Sequence, residues 1–325
     1  MLRSLFRTVF WIIALLALVI SGYRIAAELR EQLTADELRP ETGRFVDTVH
    51  GRIHALEAGP ADGLPVLLIH GSVGWAGLWA DTMEDLAARG YRAIAIDLPP
   101  MGLSDRDNFT DYSRQAQGLR ILAFVEAADI KPIIVAHSFG AGAAVEALMA
   151  QPRAFEGAVI VAGALALGED GEGREMPWLL GGEVEREIVV ANTVTNPHLT
   201  RPLLSRFVHR SAAITDAHIA AIQYPFGRIG STDTIAAWLP TLLVPPRGAA
   251  SSQAERYAGI NLPVALIWGE EDTVTPPSQA QALQAALGDA PIYWLDDVGH
   301  IPQIEAPVAF HDVLGKALSE IETQN

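Results

Sequence analysis

The chain has 325 residues, half of them apolar, a formal net charge of −16 and no cysteine. That length and apolar content suit one large α/β domain, or two small ones, with a sizeable core. The acidity argues against a nucleic-acid partner, whose phosphates need clustered Lys and Arg, and the missing cysteines exclude disulfides, thiolate chemistry and Cys-type zinc sites.

The N-terminus differs in kind from the rest. From Val9 to Ile20 every residue is apolar, with Arg3 and Arg7 ahead of the run. Adding Thr8 and Ser21–Tyr23 brings it close to a short membrane span, with Trp11 and Tyr23 near the interfaces. A cleaved signal would want small residues after the run, which Ser21-Gly22-Tyr23-Arg24 match poorly. The expectation is an uncleaved membrane anchor over 1–40, ending in a polar helical stalk from Arg24 to Arg39 that Pro40 closes. The weak charge bias places the N-terminus in the cytoplasm and the globular part on the extracytoplasmic side. A cleaved signal with secretion, or a buried core helix, are the alternatives.

Beyond residue 40, short apolar runs alternate with helical patterns. Arg44–Val49 and Arg52–Glu57 flank a His50-Gly51 turn and read as a hairpin. Pro65–His70, Arg92–Asp97, Lys131–Ala136, Ala158–Ala162, Pro263–Trp268 and Pro291–Leu295 read as further strands. Helical patterns lie near Leu78–Arg89, Tyr112–Ala128, Ser138–Ala150, Ser278–Leu287 and Val308–Glu320. Continuous Val/Ile/Leu runs separated by helices indicate a mostly parallel sheet covered on both faces. From Leu167 to Gly259 the rhythm breaks: helical patterns interrupted by Pro and Gly, rich in large apolar groups, with no convincing strand. Ligands in open α/β folds bind beyond the carboxyl ends of strands. This segment is therefore expected to be a helical cap over that edge, dividing the core into 41–166 and 260–325. Trp178, Phe207 and Trp238 are its candidate substrate-binding residues.

One serine stands at a strand-to-helix corner. In AHSFG, Ser138 follows the run Ile133–Ala136 and opens a helix, with Ala136 and Gly140 as the small residues two before and two after it. Such a corner strains the backbone and lifts the hydroxyl clear of the sheet. The plain alternative is an N-cap serine. A serine hydroxyl is a weak nucleophile and needs a base, which needs an orienting carboxylate. Both follow in the order this topology uses, acid then histidine: Asp272 after strand Pro263–Trp268, and His300 after strand Pro291–Leu295. Glu270 and Glu271 would have to reach from other turn positions, and Asp296 and Asp297 solvate or cap the loop before His300. His137 is expected to point away from Ser138 and to pack or hydrogen-bond. An oxyanion hole needs two backbone N–H groups. One falls to Phe139, the residue after the nucleophile, and the other to the HGSVGW loop, where Ser72 is the first candidate and Val73 the second. His70 braces that loop. No HExxH-type pattern occurs and the histidines are scattered singles, so no metal is expected.

Taken together, HGSVG (70–74), DLPPMGLSD (97–105), AHSFG (136–140), WGEEDTVTPP (268–277) and VGHIPQIEAP (298–307) resemble the α/β-hydrolase superfamily from about Arg44 to the C-terminus. Relatives often carry an extra glycine where Pro100 stands. The resemblance implies an eight-stranded, mostly parallel sheet with an antiparallel second strand, a cap after the sixth strand and no cofactor. Serine at the nucleophile position is unlike the branches that use aspartate there. The expected activity is hydrolysis of a small-molecule carboxylic ester by Ser138, His300 and Asp272 through an acyl-enzyme, on an apolar substrate. C–C bond hydrolysis, amide or aminopeptidase cleavage and perhydrolysis use the same residues. A membrane-tethered binding module is the non-enzymatic alternative.

Overall fold

The computed structural model describes residues 2–106, 111–168, 175–244 and 246–324; within the segment expected as a cap, 169–174 and 245 lie outside them. Eight strands form one sheet: β1 (Gly43–Thr48), β2 (Gly51–Ala58), β3 (Pro65–Ile69), β4 (Arg92–Ile96), β5 (Ile133–His137), β6 (Gly157–Val161), β7 (Val264–Gly269) and β8 (Ile292–Leu295). Their spatial order is β1-β2-β4-β3-β5-β6-β7-β8. β2 is antiparallel to both neighbours, and every other pairing is parallel.

Strand side chains alternate between the two faces. In β5, Ile134 and Ala136 face a core completed by Ile121 and Phe124 of α4 (Arg114–Ala127), Leu148 of α5 (Phe139–Ala150) and Leu283 of α10 (Pro277–Ala286). Ile133 and Val135 face the opposite core, with Met83 and Leu86 of α3 (Ala80–Ala88) and Leu314 and Leu318 of α12 (Pro307–Gln324). Both faces of β5 are buried, so the strand reads as an apolar run up to its last residue.

Between β6 and β7 come α6 (Glu183–Asn192), α7 (Thr200–Leu204), α8 (Asp216–Gln223) and α9 (Ser231–Leu243). Their apolar faces form a third cluster with Met101 and Tyr112 of the main body. The order of the strands matters for function: β5, β7 and β8 run parallel, so the loops after them open on one edge of the sheet.

The N-terminal expectation is corrected. Among the described residues no helix is long and apolar enough to cross a membrane. At 1.5 Å per residue the run Val9–Ile20 covers roughly 18 Å, against a hydrocarbon core of about 30 Å. The helix that contains it, α1 (Leu2–Arg30), continues into a polar half that packs on α6. There Arg24 binds Glu187 and Asp233. The anchor, and the extracytoplasmic placement built on it, therefore fall. The stalk is not one helix either. The chain leaves helix after Arg30, and Leu33 bridges to Arg228. It re-enters at α2 (Ala35–Leu38), where Thr34 and Glu37 form a capping box. Glu31, at the break, is buried and accepts from the N–H and hydroxyl of Thr232.

Candidate active site

Ser138 closes β5 with φ 52° and ψ −122°. A positive φ is costly for a residue with a Cβ. Here the turn is held by the Ser138 N–H donating to Val161 O and by the Ser138 carbonyl accepting from Ala141 and Ala164. Gly140 is required for a reason other than closeness to Ala136. A Cβ on it would lie 2.3 Å from the carbonyl oxygen of His70. Gly71 approaches from the same loop, where a Cβ would stand 3.1 Å from the Cβ of Ser138. Ser138 precedes α5 but makes no side-chain cap bond to it, which disposes of the N-cap reading.

The hydroxyl goes elsewhere. Ser138 Oγ lies 2.7 Å from His300 Nε2. His300 Nδ1 lies 2.8 Å from Asp272 Oδ2. All three residues are buried. An ionised carboxylate only accepts, so Nδ1 carries the proton and Nε2 is left to accept from the serine. The surroundings of Asp272 favour its ionised form. Burial raises its carboxyl, but the hydrogen bond from His300 and two bonds from Thr275 outweigh that and leave it below the usual aspartate range. Val274 N–H, Thr275 N–H and the Thr275 hydroxyl all donate to Asp272. Glu270 and Glu271 are exposed, and Asp297 pairs with His209 and Arg210.

His300 is fixed through its backbone as well. Its N–H donates to Phe207 O of the helical insert. Its carbonyl accepts from Nε2 of His137 at 2.8 Å. His137 is buried, and burial with the neighbouring His300 lowers its pKa to about 3. It is therefore a neutral donor and not a second base. His70 donates through Nδ1 to Gly71 O and accepts the Leu98 N–H at Nε2, spanning the loops after β3 and β4. Behind it Asp97, fully buried, accepts from His54, from Ala76 N–H and from Leu103 N–H. The Pro99–Pro100 bond in that loop is cis.

The N–H groups of Ser72, Val73 and Phe139 donate to no backbone acceptor among the described residues. Val73 has φ 61°, so the chain reverses sharply beside Ser138. A cavity of about 220 Å³ is lined by Ser138, His300, Ser72 and Val73 together with Leu203, Leu204 and Phe207 of the insert. No Lys, Arg, Asp or Glu is among its described lining residues. Of the three aromatic residues expected to hold substrate, Phe207 lines this cavity. Trp238 lies against Phe139 and borders a smaller space of about 20 Å³ that shares Gly71 and Ser72 with this cavity. Trp178 is 85% exposed and lines neither, which corrects the expectation for it: its apolar surface faces outward from the short turn Trp178–Leu180.

Two further residues matter that the sequence reading passed over. Thr275 is the polar partner of Asp272, and a threonine three residues past a turn aspartate was the available signal. Glu305 is buried and accepts from Gly299, His209 and Arg210 N–H groups. It ties the His300 loop to the insert, and nothing local in VGHIPQIEAP points to that role.

The alpha/beta hydrolase family matches the chain over residues 66–313, and the chain belongs to it. The chain is 26% identical over 284 residues to the 2-hydroxy-6-oxononadienedioate/2-hydroxy-6-oxononatrienedioate hydrolase of Cupriavidus pinatubonensis, covering 83% of this chain and 93% of that protein. Among solved structures it is similar to a meta-cleavage product hydrolase from Pseudomonas fluorescens IP01 (TM-score 0.69, 23% identity, 86% of this chain and 98% of the other). It is also similar to an aryl esterase, described as putative, from Burkholderia cenocepacia (TM-score 0.66, 20% identity, 86% and 99%). At these identities the structural likeness concerns the fold.

Proposed function

We propose that the chain is a serine hydrolase that cleaves a carboxylic ester of apolar character. Ser138 attacks the carbonyl while His300 takes its proton. Asp272 holds the imidazole and stabilises its charge. The N–H groups of Phe139 and Ser72 receive the developing oxyanion. His300 then returns the proton to the leaving alcohol, and a water that it activates releases the acid. The observation that carries this reading is the continuous hydrogen-bonded chain Ser138–His300–Asp272, opening on an apolar cavity.

The likeness to the Cupriavidus enzyme favours C–C bond hydrolysis as the second reading. That relative's name denotes a dicarboxylate. Two carboxylates buried without a cation carry a heavy desolvation cost, and the described cavity wall offers no Lys or Arg. Ester cleavage is therefore preferred.

A fluorophosphonate probe should label the wild type and fail to label Ser138→Ala. Labelling that survives the substitution would reject Ser138 as nucleophile. Steady-state turnover of p-nitrophenyl esters against that of a ring-cleavage dienedioate then separates the two readings: faster turnover of the dienedioate would favour C–C cleavage.

A further inference from the structure

Gln303 follows His300 by three residues, on the short helix α11 (Pro302–Glu305). It is 8% exposed, and it lines the same cavity as Ser138. Its Oε1 is buried with no hydrogen-bond partner among the described residues. Its neighbours Ile301 and Ile304 line the cavity too, so the amide stands in an otherwise apolar stretch of wall. The other buried polar side chains there are engaged. Ser138 and His300 bond each other, His137 donates to His300 O, and Thr200 accepts from Gln223. Buried polar groups are as a rule paired, because leaving one unmade forfeits its hydration without return. An isosteric apolar residue would avoid that loss.

We propose that Gln303 is a substrate-recognition residue, pairing with a hydroxyl carried on the apolar part of the ester; the proposal rests on the ester-hydrolase reading of this site. A charged group is the wrong partner, since one neutral amide cannot compensate a buried charge. A hydroxyl donates and accepts, and so suits either end of an amide. The substrate class is then hydroxylated esters, not plain alkyl esters.

The test compares kcat/KM for p-nitrophenyl esters of straight-chain acids bearing one hydroxyl stepped along the chain, and for hydroxyalkyl esters of a fixed acid, each against its unsubstituted analogue. Wild type should prefer one positional isomer by roughly tenfold, the worth of one neutral hydrogen bond. In Gln303→Met and Gln303→Leu that ratio should fall to about one. Their melting temperatures should equal or exceed the wild type's, since no native bond is lost. Absence of a preferred isomer in wild type overturns the proposal whether or not the variants fold. So does a variant that melts lower while keeping the wild-type ratio, which marks a purely structural amide. Fluorophosphonate labelling of Ser138 separates the failures: labelled enzyme without hydroxyl preference rejects the role of Gln303 alone, and unlabelled enzyme rejects the hydrolase reading with it.

Discussion

Single residues decide the chemistry. Asp272 stays ionised although buried because three donors besides His300 surround it. The Thr275 hydroxyl is the one that a substitution can remove cleanly. Thr275→Val keeps the shape and deletes a bond to a charged acceptor, an interaction on the order of 1.5–3 kcal/mol. If that loss is felt mainly when the imidazole becomes charged, kcat should fall roughly 10–100-fold with KM little changed. An unchanged kcat would show that Val274 and Thr275 N–H groups suffice to orient the carboxylate. Ser138 and Gly140 were legible in the sequence, since both belong to one local turn. Thr275 was not, because a threonine in a loop has many possible acceptors and only the fold selects Asp272.

Among the elements, the join between the His300 loop and the helical insert is decisive. Phe207 O holds the His300 N–H, and Glu305 gathers three N–H groups from both sides of the join. Glu305→Ala should orphan those donors at about 1–3 kcal/mol for each that stays dry. A fall in melting temperature together with a loss of kcat is expected. Glu305→Gln, which retains one acceptor oxygen, should lose less of both. A Glu305→Ala protein as stable and active as wild type would mean that the insert holds His300 through Phe207 alone. The strands were readable from their apolar runs and the insert from its broken rhythm. The docking of α1 was not, because Glu31, Thr232, Arg24 and Asp233 meet across about 200 residues of chain. An apolar run followed by charges reads the same from sequence whether its polar half stands free or lies along α6.

For the whole molecule, the buried histidines and aspartates set the response to acid. His137 is held near pKa 3 by burial and by His300, and burial lowers His70 as well. Below about pH 6.5 the unfolded chain protonates these groups while the fold keeps them neutral. Stability is therefore lost as pH falls from about 6.5, by about 1.4 kcal/mol per unit for each such group. Asp97 adds a further loss at lower pH. Burial raises it, but the hydrogen bonds from His54 and from the Ala76 N–H bring it below its ordinary value. Its contribution, like that of Asp272, is present above the usual aspartate range and vanishes as pH drops through the lowered pKa. Urea midpoints should thus decline from pH 6.5 to 4 and more steeply below. His137→Gln, which can still donate to His300 O, should flatten the upper slope by close to one proton; a profile parallel to wild type would refute the buried neutral state of His137.

The sequence by itself determined the strands, their separation by helices, and which serine, aspartate and histidine follow β5, β7 and β8. These are properties of short segments, whose periodicity and turn chemistry need no distant partner. Tertiary structure alone decided that Phe207 faces the cavity while Trp178 faces outward, that α1 lies on the insert, and that Gln303 Oε1 is left without a partner among the described residues. Each of those depends on which face of one helix meets another far along the chain, and hydrophobic burial, being non-directional, does not encode that choice in any local pattern.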